Sequence, residues 1–342
     1  MRWYLIILLL KWAAILPAQI LEEGVIQEAR FLIAQPEEWN GKLLIVAHGY
    51  VPEDQPLSAD FSPEKEIYQD LLDGGWMIAG SSYRRNGFII KDAIKDLELL
   101  HQHIVKTYGR PKTTLLQGSS MGGVIGTLIA ESPRRRFHGV LCMGAALQLK
   151  NQNAPFKLNY KPKIPLLFLS NHTEYQAPQD YTNLVKSGTV ALWKISRDGH
   201  VNINQQEQAE ALTALERMVN GYPVPLTKDA TMAMAPSSRA EFRKEGAFSR
   251  VGWVDPVYGN LYTELVPQDL LKLKVRKGQT FKISYHGQTI TMLYGSTYND
   301  VPKGEWVAFL SGEGTFQISC NYCNAGKSLN YRKGERIFVH KY

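Results

Sequence analysis

The chain has 342 residues, 44% hydrophobic and 21% charged, with a formal net charge of +7 from 39 Lys and Arg against 32 Asp and Glu. These fractions exclude a disordered or fibrous protein, and the length accommodates one large domain and a smaller one. Three cysteines cannot build a disulfide scaffold, and the longest basic cluster, Arg134-Arg135-Arg136, stands without a nucleic-acid-binding motif, so no nucleic acid partner is expected.

At the amino end Arg2 precedes an apolar run from Trp3 to Leu10, Lys11 interrupts it, and Pro17-Ala18 ends it. The run is short for a membrane span and predicts a signal peptide at residues 1–18, giving an exported protein, periplasmic or secreted; an uncleaved anchor or a cytosolic helix is the alternative. No membrane contact beyond that segment is expected. Residues 25–34 read as one extended segment, and residues 42–47 as a buried strand ending in His48-Gly49-Tyr50. A helix over 63–72, a strand over 75–80 and an amphipathic helix over 89–108 follow. Strands are predicted near 113–117, 140–146, 165–169 and 190–195, with a helix after the first and a polar helix over 205–219. This alternation predicts an α/β domain over 19–220, a mostly parallel sheet with helices on both faces and its site at the strand carboxyl ends.

Residues 221–240 read as an interdomain linker, rich in proline and small residues. Beyond it, over 241–342, Leu271, Leu273 and Val275 alternate with Lys272, Lys274 and Arg276, and short strand-like runs at 281–285, 289–293, 306–310, 315–319 and 336–339 are separated by glycine turns. The pattern predicts a small all-β barrel or sandwich.

The stretch Gly118-Ser119-Ser120-Met121-Gly122 joins a β-branched run to residues at helical spacing (Val124, Ile125, Leu128, Ile129). Strand, tight turn with a serine at its tip, then helix is the context of a nucleophile elbow, in which Ser120 attacks a carbonyl. A serine hydroxyl needs a base, and the base needs a carboxylate to hold its tautomer. The strand at 166–169 is followed by Glu174 and Pro178, and that at 190–195 by Asp198-Gly199-His200. Cys142 lies in an apolar run and reads as an inert core residue; His101 and His103 point to different helix faces and make no metal pair. Cys320 and Cys323 lack a second pair at zinc spacing, so they read as a local disulfide or two thiols; no metal and no cofactor is expected.

These loops, in the order Ser…Glu…His, resemble the α/β-hydrolase family over residues 25–220. The resemblance implies a serine hydrolase, foremost a carboxylic ester hydrolase, with Ser120 as nucleophile, His200 as base and Glu174 as acid; Asp180 is a rival acid and Asp198 an outsider. It also implies an oxyanion hole from the N–H groups of Met121 and Tyr50, with His48 structural and Asn202 steadying the histidine loop. The stretch where such enzymes carry a cap spans only residues 148–163, predicting an open cleft for a small-molecule or exposed ester, with Tyr50, Tyr83, Asn86 and Tyr175 as wall residues.

Four ordered blocks, around Trp253-Val254-Asp255, Gly259-Asn260, Tyr298-Asn299-Asp300 and Asn321-Tyr322-Cys323-Asn324-Ala325, resemble the carboxyl-terminal barrel of the S-adenosylmethionine hydroxide adenosyltransferases over 245–340. That resemblance implies a ligand site at Asn260, Asn321, Asn324 and Ala325 and homo-oligomer contacts through the barrel. Glu264 stands where the family carries Asn, and a hydrolase replaces the family's amino-terminal domain. A catalytically inactive binding or assembly protein is therefore the alternative to an esterase, with peptidase or S-adenosylmethionine hydrolase activity less expected.

Overall fold

The computed structural model describes residues 20–134, 136–147, 156–186, 189–332 and 334–342; the expected signal peptide, Arg135 and part of the 148–163 stretch lie outside the described residues. Among the described residues the first sheet has nine strands: β1 (Ile20–Ile26), β2 (Ala29–Gln35), β3 (Lys42–Ala47), β4 (Trp76–Ser81), β5 (Thr113–Ser119), β6 (Gly139–Met143), β7 (Leu166–Asn171), β8 (Val190–Ile195) and β9 (Thr227–Asp229). Their order is β1-β2-β4-β3-β5-β6-β7-β8-β9; β1 and β2 run antiparallel at one edge and the rest are parallel. Strands covered on both faces must be apolar throughout, and β4, β6 and β7 are buried at every position.

The covering helices are α1 (Glu66–Asp73), α2 (Ile90–Tyr108), α3 (Met121–Glu131), α4 (Gln176–Leu184) and α5 (Gln205–Val219). Leu97, Ile104, Val124, Ile129 and Tyr181 press α2, α3 and α4 onto one face; Ile67, Leu72, Ala211 and Leu215 press α1 and α5 onto the other. Burial of side chains like these contributes roughly 1.5–3 kcal/mol each.

In this first sheet two readings change and one helix is added. Residues 25–34 are not one extended segment but part of the β1–β2 hairpin, turned at Gln27 with φ of 56°. Helix α4, polar and preceded by the acid, has no counterpart among the elements predicted from the sequence. The 221–240 stretch contributes β9, an edge strand paired with β8, before it leaves the sheet.

The second sheet comprises β10 (Glu241–Arg243), β11 (Gly246–Val254), β12 (Leu261–Thr263), β13 (Thr280–Tyr285), β14 (Gln288–Tyr294), β15 (Trp306–Leu310), β16 (Phe316–Cys320) and β17 (Arg336–His340). Pairing of β11 with β17 closes seven of these into a barrel, with β10 outside the ring, hydrogen-bonded to β11. The alternation at 271–276 is not a strand: α6 (Pro267–Lys272) occupies its start, opened by Pro267 at the first helical position and by Asp269, whose Oδ2 accepts the Val266 N–H at 3.0 Å. A last short helix, α7 (Ala325–Ser328), follows the Cys320–Cys323 pair, which is disulfide-bonded.

The barrel docks on the loop that carries His200. Asn202 Nδ2 donates to the Leu310 carbonyl at 3.0 Å, Asn204 Nδ2 to Gly312 O at 3.3 Å, and the Gln205 N–H to Glu313 Oε1 at 3.0 Å. A methyl on Gly312 would stand 2.8 Å from the Asn204 backbone N, so the two loops touch too closely for a side chain there. At the far edge Lys65 Nζ sits 4.1 Å from the Trp253 ring centroid, and Trp253 Nε1 donates to Glu64 at 3.3 Å.

Candidate active site

β5 runs into α3 through Ser120, whose φ is 55° and ψ −112°. A non-glycine residue held there costs on the order of 1–3 kcal/mol and persists only where its surroundings enforce it. Here the Ser120 N–H donates to Met143 O at 2.9 Å, while its carbonyl accepts from the Gly123 N–H at 3.0 Å. The flanking glycines are sterically required: a Cβ on Gly118 would stand 2.1 Å from Gly122 O, and one on Gly122 2.1 Å from Ala47 O. This crowding keeps the serine hydroxyl at the rim.

The Ser120 hydroxyl lies 2.7 Å from His200 Nε2, and His200 Nδ1 is hydrogen-bonded to Glu174 Oε2. A carboxylate only accepts, so Nδ1 carries the hydrogen and Nε2 is left to receive the serine proton. The second carboxylate oxygen accepts the Val201 N–H at 3.0 Å. Gly144 leaves the acid its space, since a Cβ there would come within 2.6 Å of Glu174 Oε1. Partial burial pulls the His200 pKa down, but the hydrogen bond and charge of Glu174 outweigh it and leave the pKa raised. Asp180 stands exposed on α4, and Asp198 reaches Lys277 at 3.9 Å; neither is bonded to His200.

The acid and histidine loops are laced together by residues that no motif marks. Asn171 Nδ2 donates to the carbonyls of Arg197 and Asn202, and Asn171 Oδ1 accepts the Asn202 N–H at 2.7 Å. Thr173 Oγ1 donates to Gly199 O at 2.7 Å. Arg197 pairs at 2.8 Å with Glu207, which is fully buried and closes the capping box of α5 with Asn204. Val201, β-branched and at φ of 52°, is the strained link this lacing holds.

Neither the Met121 N–H nor the Tyr50 N–H has an acceptor among the described residues, and both belong to segments flanking Ser120. His48 Nδ1 bonds the Gly49 carbonyl at 2.7 Å and its ring stacks on Tyr83 at 4.1 Å, with burial holding its pKa low: a structural histidine. The expected wall residues mostly lie elsewhere. Tyr83 is fully buried and donates to His48 O at 3.1 Å, Asn86 is buried and pins Gln55 O at 2.6 Å, and Tyr175 packs against the core. Among the described residues none of these three lines the cavity at Ser120. Ala325 is likewise buried, in the barrel core.

The cavity at Ser120, about 330 Å³, is a second departure from expectation. An open cleft follows from a short cap gap, but the barrel forms the opposite wall. Ser120, His200 and Tyr50 face Asn260, Tyr298, Asn321 and Tyr322 across it, with Asn324 and the Cys320–Cys323 disulfide beside them. Tyr50 and Tyr322 meet ring to ring, with centroids 6.1 Å apart. Among the described residues no Asp, Glu, Lys or Arg lines this cavity.

Sheet order and elbow together define an α/β-hydrolase domain, followed by a closed barrel. Residues 80–233 match the family described as serine aminopeptidase, S33, and residues 249–338 match the S-adenosylmethionine hydroxide adenosyltransferase C-terminal domain. No curated protein matches the chain. Among solved structures, an uncharacterized conserved protein from Thermotoga maritima is 20% identical, with a TM-score of 0.29, over 38% of this chain and half of its own length. A Pyrococcus furiosus esterase is 15% identical over 60% of this chain and 91% of its own, with a TM-score of 0.49. A Paleococcus ferrophilus monoacylglycerol lipase is 13% identical over 56% of this chain and 98% of its own, with a TM-score of 0.42.

Proposed function

We propose that this protein is a serine hydrolase of uncharged carboxylic esters. The observation that carries the reading is the continuous hydrogen-bonded chain from Ser120 through His200 to Glu174. In the proposed mechanism His200 takes the serine proton as Ser120 Oγ adds to the carbonyl. The N–H groups of Met121 and Tyr50 receive the developing oxyanion, and His200 then protonates the departing alkoxide. Water, activated by the same histidine, releases the acid from the acyl-enzyme. A preference for neutral substrates is read from the lining, which offers a charged one no Asp, Glu, Lys or Arg in exchange for the hydration it loses.

A panel of matched esters and amides tests it. Neutral short esters should turn over, and analogues carrying a carboxylate or ammonium on the same frame should lose roughly 10-fold or more in kcat/KM. Equal rates for charged and neutral partners would remove the specificity claim, and no turnover of any ester would return the reading to an inactive binding protein.

The pH profile follows from the histidine. Below its pKa His200 is protonated and cannot act as base, so kcat/KM should rise with pH through an ionisation above the ordinary value of about 6.5. Glu174→Gln removes the carboxylate charge that raises it, so the ascending limb should move to lower pH while the plateau falls. A limb unmoved by the substitution would show that the titrating group is not His200.

A further inference from the structure

Between β11 and β12 the barrel projects a tight loop, residues 255–260, onto the hydrolase. Asp255 organises it: its Oδ1 accepts the N–H groups of Val257 and Tyr258 at 2.8 and 2.7 Å, and its own N–H donates to Asn260 O at 2.9 Å. The loop turns back at Gly259, with φ of 71°. The side chain so delivered is Tyr258, which lines the cavity together with Ser120 and His200.

Gly49 shows how close the approach is. A methyl built on Gly49 would meet Tyr258 Oη at 2.8 Å, Ser119 O at 3.2 Å and Ser120 Cβ at 3.3 Å. The phenol oxygen and the nucleophile therefore border the same small space, directly before Tyr50 in the loop read as half of the oxyanion hole. A phenol hydroxyl turns freely about its C–O bond, so its hydrogen can point into the cavity that Tyr258 lines. Burial pushes the phenol's pKa up, so Tyr258 stays neutral and remains a donor across the working range of the histidine.

We propose that the barrel supplies a catalytic group to the hydrolase site: the Tyr258 hydroxyl donates a hydrogen bond to the substrate's carbonyl oxygen as it becomes an oxyanion. This rests on the serine hydrolase reading and gives the barrel a chemical task beyond covering the cavity. A preorganised donor to a developing oxyanion is worth roughly 10²- to 10³-fold in rate. Tyr258 stands three residues after Asp255 of the Trp253-Val254-Asp255 block, but nothing in the sequence says that its ring reaches another domain.

The test is Tyr258→Phe in the full chain, which keeps the ring and removes only the hydroxyl. On the best neutral ester kcat should fall about 100-fold, with KM within a factor of about three and the melting temperature near that of the wild type. Phosphonylation of Ser120 by a fluorophosphonate, which develops the same oxyanion, should slow in parallel. Fluorotyrosines placed at 258 separate donation from packing: kcat should rise with phenol acidity while the ring stays neutral. A Phe variant with wild-type kcat, or a response flat across the fluorotyrosines, overturns the proposal. Wild-type protein unlabelled at Ser120 overturns the hydrolase reading and this proposal with it. Wild type and Tyr258→Phe labelled at equal rates overturn the tyrosine proposal alone.

Discussion

Ser120→Ala should lower kcat on any ester the protein cleaves by on the order of 10⁴- to 10⁶-fold, with little change in KM or in stability. The expectation is this large because the proposed reaction coordinate runs through one oxygen. Ser120 Oγ is the atom 2.7 Å from His200 Nε2 on the cavity rim, and no other hydroxyl is hydrogen-bonded to that nitrogen among the described residues. Substitution also removes a side chain that does not cap α3, so the fold loses no helix cap. His200→Ala should cost about as much, and the double variant scarcely more, since the two act as a unit. Kinetic assays of the single and double variants decide it. Additive losses, or a residual rate within 10-fold of wild type, would mean that the triad is not the reacting constellation.

Gly122→Ala should destabilise the hydrolase domain by about 3 kcal/mol, seen as a drop of roughly 6–12 °C in Tm. Two effects oppose here. Alanine in place of glycine within a helix is worth about 0.5–1 kcal/mol in its favour. Against that, the new methyl would stand 2.1 Å from Ala47 O and 2.9 Å from His48 O, backbone atoms at the end of β3 and the start of the loop that follows it. Neither can rotate away, so β3 and α3 must separate, and the steric cost wins. Because the segment displaced carries Gly49 and Tyr50, activity should fall further than stability explains. Scanning calorimetry beside kcat measures both, and an unchanged or higher Tm would show that the elbow is not packed as tightly as described.

Much of the hydrolase domain is written in its sequence, for a physical reason. Parallel strands covered on both faces read as near-continuous apolar runs, and β3, β4, β7 and β8 are such runs, with polar residues only at their ends and at Lys194. The elbow is legible because its glycines are sterically forced and cluster around one serine. What escapes notice is polar and local. Helix α4 has no apolar stripe long enough to distinguish it from a loop, and Asn171, Thr173 and the Arg197–Glu207 pair act by hydrogen bonds that carry no periodicity. The alternation at 271–276 misleads because a short helix end followed by a turn alternates charge as well as a strand does.

The cavity wall was hardest to read. Tyr83 and Asn86 follow a strand end where wall residues are expected, yet they turn inward to support the loops above them. Asn260, Asn321 and Asn324, marked by resemblance for a ligand site of the barrel alone, stand instead across the cavity from Ser120. That juxtaposition is made by the docking of two domains through Asn202, Asn204 and Gln205, and pattern within one domain does not encode which face meets the other.

The account turns on a nucleophilic serine, and fluorophosphonate labelling with mass mapping of the modified peptide tests it most directly. One label per chain, on Ser120, lost in Ser120→Ala and slowed strongly in His200→Ala, is the predicted result. Folded protein that takes no label, or takes it on another residue with Ser120 unmodified, would contradict it.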